Sequence, residues 1–160
     1  MPLPAARPRA LDSPLLPKVF RWMSRCHVWA YRRSGGRVGY HWRVGAALRK
    51  PAPTLLLDHR GRRSGRVFTT PLIFLRDGAD VVVVASQGGR PEHPQWYRNL
   101  LSSPDTTVQI KGELVPVRAR TADAAERDAL WPLLLDLYAD FGTYQSWTSR
   151  EIPVMILEPR

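Results

Sequence analysis

Residues Val81 to Leu100 read Val-Val-Val-Val-Ala-Ser-Gln-Gly-Gly-Arg-Pro-Glu-His-Pro-Gln-Trp-Tyr-Arg-Asn-Leu. The valines predict a strand over Val81–Ser86, because β-branched side chains suit a pleated, packed surface. Gly88 and Gly89 then supply a turn, and Pro94 leads into a short helix over Gln95–Leu101. A proline, an aromatic pair and the amide of Asn99 at the head of that helix form a platform suited to a flat, polar ring.

Working outward, β-branched or apolar runs recur at Thr54–Asp58, Val67–Leu75, Thr106–Ile110, Val115–Thr121 and Val154–Glu158. Turn signals such as Arg76-Asp77-Gly78 and Lys111-Gly112-Glu113 separate them. Six short strands in close succession predict a small antiparallel barrel, so the fold class is α+β and mainly β. A longer helix is predicted from about Asp123 to Tyr138, with Leu130, Leu133, Leu134 and Leu137 on its core face. Near the N-terminus, Ser13 and Pro14 read as an N-cap and first helical position. Leu16, Val19, Phe20, Met23 and Ala30 then fall on one helix face, and Lys18, Arg21, Arg25 and Arg32 mainly on the other. Ser34-Gly35-Gly36 ends this helix with a left-handed cap. The expected organisation is a disordered, proline-rich lead over residues 1–12, a basic amphipathic helix and connection over 13–50, and a barrel domain over 51–160.

Of 160 residues, 24 are Lys or Arg and 14 are Asp or Glu, a net charge of +10. The imbalance is local: residues 1–66 carry +13 and residues 67–160 carry −3. A basic arm with a few arginines at a specific site accounts for this better than a domain built to wrap nucleic acid. The arm helix can pack on the barrel, or lie on an anionic membrane surface with Trp22 and Trp29 among the headgroups. Cys26 is the single cysteine, which excludes an intrachain disulfide and a cysteine-based zinc site. It is expected to be a small buried hydrophobe in a reducing cytoplasm. No apolar run approaches the roughly 18 residues that span a bilayer, and the first residues lack a signal-peptide core. A soluble cytoplasmic protein is expected, with peripheral contact at the inner face of the cell membrane as the variant.

Three motifs carry chemistry. Gly61-Arg62-Arg63-Ser64-Gly65 lies between two predicted strands, where the glycines allow a turn whose backbone N–H groups converge and the arginines favour a phosphate or carboxylate. A solvated hairpin turn is the plainer reading. The second motif is the platform itself, whose His93 has no partner at metal-ligand or triad spacing. His27, His41 and His59 are equally isolated, so no metal site and no nucleophilic machinery are expected. Third, Tyr138, Phe141, Tyr144 and Trp147 lie within ten residues. They can plug a barrel end or wall a site for a planar substrate.

Taken in order, Gly61-Arg62-Arg63-Ser64-Gly65, Thr70-Pro71-Leu72, Ala85-Ser86-Gln87-Gly88-Gly89, His93-Pro94-Gln95-Trp96-Tyr97-Arg98-Asn99-Leu100 and Tyr144-Gln145-Ser146-Trp147-Thr148 resemble the deazaflavin-dependent nitroreductase family from about Thr54 to Pro159. Gly35-Gly36-Arg37-Val38-Gly39 adds weaker support. The resemblance implies a split β-barrel of the flavin-nucleotide-binding type and the reduced deazaflavin coenzyme F420 as hydride donor. A planar electrophile such as a quinone, an activated nitroaromatic or a conjugated carbonyl compound would be the acceptor, and the hydride chemistry would belong to the coenzyme.

Position by position, it implies that Arg62, Arg63 and Ser64 hold the coenzyme's phosphate and oligoglutamate tail. Thr70, Pro71, Ala85, Ser86 and Gln87 would line its ring system, and Trp96 and Asn99 would close over the deazaflavin. Ser86, Tyr138 and Tyr144 would face the acceptor, with hydroxyls placed for charge developing on its oxygens. The chain departs from the family at Phe68 and Gln87, where an arginine and a lysine are common, which makes the anion side less cationic. Arg66 and Arg90 are the candidates to compensate. Phe141 replaces a tyrosine, so nitroimidazole reduction does not follow. The alternatives are an FMN-dependent or non-catalytic flavin-, haem- or lipid-binding barrel of the same fold, and a basic membrane-surface or nucleic-acid-binding protein driven by the arm. Pairing as a homodimer is a further expectation from the family.

Overall fold

In the computed structural model, residues 3, 4, 6–8, 13 and 15–160 are described. Most of the expected disordered lead, and Pro14, lie outside them. Among the described residues there are seven strands: β1 (His41–Trp42), β2 (Ala52–Arg60), β3 (Val67–Asp77), β4 (Asp80–Val84), β5 (Asp105–Ile110), β6 (Glu113–Thr121) and β7 (Val154–Pro159). All pairings are antiparallel, in the order β1-β2-β3-β4-β7-β6-β5. Leu56 and Leu57 of β2 also pair with Gln109 and Val108 of β5, closing β2 to β7 into a six-stranded barrel. The six predicted runs are its six staves.

Alternation along the strands sorts the core into two layers. Leu55 and Leu57, Val81 and Val83, Val108, Val117, Met155 and Leu157 fill the barrel. Val82, Val84, Val154 and Ile156 point outward into a second apolar layer. That layer is covered by α3 (Ala124–Leu137) and α4 (Asp140–Ser146). Both faces of β4 are therefore buried, which is why its sequence is four consecutive valines rather than an alternation.

Helix α3 starts where Asp123 accepts from the Glu126 N–H at 2.8 Å while Glu126 accepts from the Asp123 N–H at 2.9 Å, a reciprocal capping box. Its buried stripe runs Leu130, Leu134 and Tyr138, spaced by four. Leu133, one position off that stripe, is 52% exposed, contrary to the core face read from sequence. Helix α4 was not anticipated. It carries Phe141 and Tyr144 onto the outer layer, so this aromatic run covers the outside of β4 and β7 and does not plug a barrel end.

Helix α1 spans Leu16–Ser34 and begins at Leu15, not Ser13, with Pro17 in its first turn, where the missing N–H costs no hydrogen bond. Its C-terminal half is docked. The buried Tyr31 hydroxyl donates to the Thr54 carbonyl and accepts from the Lys111 N–H, both at 2.8 Å. Gly35 supplies the left-handed cap, and Gly36 follows at φ +78, where an added Cβ would lie 2.5 Å from Lys111 Cα. The N-terminal half is not docked: Val19, Phe20, Trp22 and Met23 are exposed, and Cys26 is exposed rather than buried. Of the apolar stripe read from the sequence, Val19, Phe20 and Met23 are left exposed. After β4 the chain turns through residues 86–90 into α2 (Gln95–Ser102), as the opening stretch predicts.

Candidate functional site

The β2–β3 turn, α1 and the head of α2 enclose a cleft of about 1240 Å³. The turn is held from within. Gly61 N–H donates to the Arg66 carbonyl at 2.8 Å, Gly65 N–H to the Gly61 carbonyl at 2.7 Å, Arg66 N–H to Ser64 Oγ at 3.4 Å, and Arg62 N–H to Asn99 Oδ1 at 3.2 Å. Four of the backbone donors expected to cradle an anion are thus already used. The arginine side chains of the turn stand exposed along the cleft.

Asn99 organises the floor of the cleft. Its Oδ1 also accepts from Arg62 Nη1 at 3.2 Å, and Gln95 Oε1 accepts from the same nitrogen at 2.7 Å. With Oδ1 so occupied, Nδ2 donates to His59 Nδ1 at 2.9 Å, which makes that ring nitrogen an acceptor and places the proton on Nε2, toward Thr70 Oγ1 at 3.0 Å. The imidazole is therefore neutral. Burial holds it down to about 4, outweighing the pull of Asp58. Phe68, at the position where the resemblance leads one to expect an arginine, stacks on His59 with centroids 5.8 Å apart and leaves much of its ring exposed. A charge is replaced by an apolar face.

The opposite wall is α1. Arg21, Arg25, Arg32, Arg33 and Trp29 line it. Arg32 is committed to Asp58 at 2.9 Å and to Thr69 Oγ1 at 2.9 Å. From the sequence, Arg21, Arg25 and Arg32 are expected on the basic face of a helix that packs on the barrel with its charges solvated or lies on an anionic membrane surface. The available signal was that α1 contains no acidic residue, but which side would meet the barrel could not be read from it. His59 gave no sequence signal at all, because its partners lie 11 and 40 positions away.

Of the residues proposed from sequence, Arg62, Arg63, Ser64, Arg66, Thr70 and Asn99 come together in this cleft. Pro71, Ala85, Ser86, Gln87, Trp96, Tyr138 and Tyr144 do not line it, and neither does Arg90. Ala85 and Trp96 are built into the barrel core, Trp96 edge-on to Tyr97. An indole 6% exposed inside the barrel leaves little surface to close over a ring. Ser86 and Gln87 lie in a separate turn, with Gln87 at φ 46.

That turn is fastened by Arg150, which the sequence reading passed over. Arg150 donates to the carbonyls of Ala85, Ser86 and Arg90 at 3.2, 2.9 and 2.8 Å, and to His93 Nδ1 at 3.2 Å. Gly89 packs beneath α4, where a Cβ would meet the Tyr144 carbonyl at 2.7 Å. Nearby, the Tyr138 and Tyr144 hydroxyls are 3.4 Å apart, and burial pushes both phenols up, so both remain protonated.

Compared with known proteins, residues 22–159 match the family described as F420H(2)-dependent quinone reductase. A Mycobacterium tuberculosis (strain ATCC 25618 / H37Rv) protein, Rv3178, provisionally named for that activity, is 56% identical over 118 residues, covering 74% of this chain and 99% of that protein. The solved F420-H2 dependent reductase FDR-A is 36% identical with a TM-score of 0.62, covering 66% of this chain and 94% of its own. A solved chain described as a domain-swapped dimer is 28% identical with a TM-score of 0.65, covering 89% and 99%.

Proposed function

We infer from its membership of the F420H(2)-dependent quinone reductase family, to which this chain belongs over residues 22–159, that the protein is an oxidoreductase passing hydride from reduced coenzyme F420 to a quinone. The observation that carries the reading is the donor set of the cleft. Seven arginines line it and no aspartate or glutamate does, which fits a ligand bearing a phosphate and several carboxylates. Its volume also exceeds the roughly 300–1,000 Å³ usual for small-ligand pockets. Flavin mononucleotide, which lacks the acidic tail, would leave much of this charge unmatched.

When bound, the coenzyme supplies the hydride. In our reading Arg62, Arg63, Ser64 and Arg66 hold its anionic part, Asn99 fixes Arg62 in place, and Phe68 offers an apolar face to a planar ring. Neutral His59, its proton held toward Thr70, keeps positive charge out of the floor. Titrating the purified chain with oxidised and reduced F420 tests the reading. Arg63→Ala should weaken binding by about 1.5 kcal/mol, roughly tenfold, through loss of a charge-assisted contact. No binding of either form at ~50 µM, a level a coenzyme site built from such contacts should reach, would sink it.

No helix among the described residues is long and apolar enough to cross a membrane. A peripheral contact through α1 is supported by the exposed Phe20, Trp22 and Met23 beside Lys18. The chain should float with anionic liposomes and not with zwitterionic ones, and replacing those three residues by serine should abolish flotation. Equal flotation of the replaced protein would remove α1 as the contact.

A further inference from the structure

We propose that α1 is the wall that binds the coenzyme's oligoglutamate tail, with Arg21, Arg25 and Arg33 as its carboxylate-binding residues; this rests on the F420 reading above. The arginines of the cleft divide by what already holds them. Arg32 is bound to Asp58 and Thr69, and Arg62 to Gln95 and Asn99. The side chains of Arg21, Arg25 and Arg33 on α1, and of Arg63 and Arg66 on the facing turn, make no hydrogen bond or ion pair among the described residues. Two banks of uncommitted charge therefore face each other across the cleft.

The turn bank is compact, four positions from Arg63 to Arg66, and suits one phosphate. The α1 bank is long: at about 1.5 Å per residue, Arg21 to Arg33 runs roughly 18 Å along the helix axis. A single phosphate cannot span that length, whereas a chain of carboxylates can. The α1 bank also supplies cations in a cleft where Phe68 stands at the position of an expected arginine. The family match begins at Trp22 and so takes in α1 from there to Ser34, with Arg25 and Arg33 inside it and Arg21 one position outside.

The test is direct binding, by fluorescence or calorimetry, of three probes: the deazaflavin riboside without phosphate or tail, F420 with one glutamate, and F420 with five. For the wild-type chain, affinity should rise with glutamate number. In the triple variant Arg21→Gln, Arg25→Gln, Arg33→Gln, the five-glutamate form should lose about tenfold or more, at roughly twofold to fivefold per exposed charge pair, and bind no better than the one-glutamate form. The corresponding triple lysine variant, which keeps the charges, should retain the dependence on glutamate number. An unchanged dependence in the glutamine variant overturns the proposal while leaving the F420 reading intact. Failure of the wild-type chain to bind any of the three probes overturns both.

Discussion

Replacing Asn99 by leucine should destabilise the protein by about 3 kcal/mol and lower its affinity for F420 at least tenfold. The amide is 4% exposed. It satisfies three groups at once: the Arg62 N–H, the Arg62 guanidinium and His59 Nδ1. Leucine fills the space but leaves a buried ring nitrogen and a backbone donor without partners, each at a cost of about 1–3 kcal/mol. It also unties the β2–β3 turn from α2, so that Arg62 and Arg63 no longer hold their positions across the cleft. Urea unfolding and coenzyme titration read the two effects separately. Asn99→Asp is the informative companion. It keeps an acceptor for Arg62 but presents a carboxylate to His59 Nδ1, so it should raise the histidine's proton affinity and restore part of the stability below pH 6. If the leucine variant unfolds at the wild-type urea concentration, the network contributes nothing and the assignment of Asn99 is wrong.

The second large effect is the pH dependence that His59 imposes. Burial lowers its folded-state value to about 4, against about 6.5 in an unfolded chain. Between those limits the unfolded state binds more protons than the folded one, so stability falls as pH falls. The contribution is complete above about pH 6.5 and is lost on descending to about pH 4, some 3 kcal/mol in all. Carboxylates titrate over part of the same range, so the measurement is the difference between proteins. The wild-type chain should lose about 3 kcal/mol more than His59→Gln between pH 7 and pH 4 in urea unfolding. Identical losses would show that the imidazole is not held neutral by the fold.

The barrel was legible in the sequence because its information is local. Each stave is a run of β-branched residues bounded by its own turn signal, and alternation needs only neighbours within a few positions. The same holds for the helices α2 and α3 and for the Gly61–Gly65 turn, whose arginines line the cleft. Helix α4 was hidden because Asp140–Ser146 is short and contains a glycine, and its burial comes from the sheet beneath it rather than from its own periodicity.

What a side chain faces was a different matter. Trp96 and Asn99 are three positions apart on one short helix, yet one is buried in the barrel core and the other ties His59 to Arg62. The opening stretch therefore fixed by itself a buried strand, a turn and a helix head, and with them the class of fold. It could not fix which of its residues meet the cleft. That depends on contacts with residues 59–62 and with Arg150, each some 35 to 65 positions away. Likewise the basic face of α1 was plain from composition, but only the docking of Tyr31 onto Thr54 and Lys111 turned it toward the site. Local propensity sets elements, and long-range packing alone decides which faces come together.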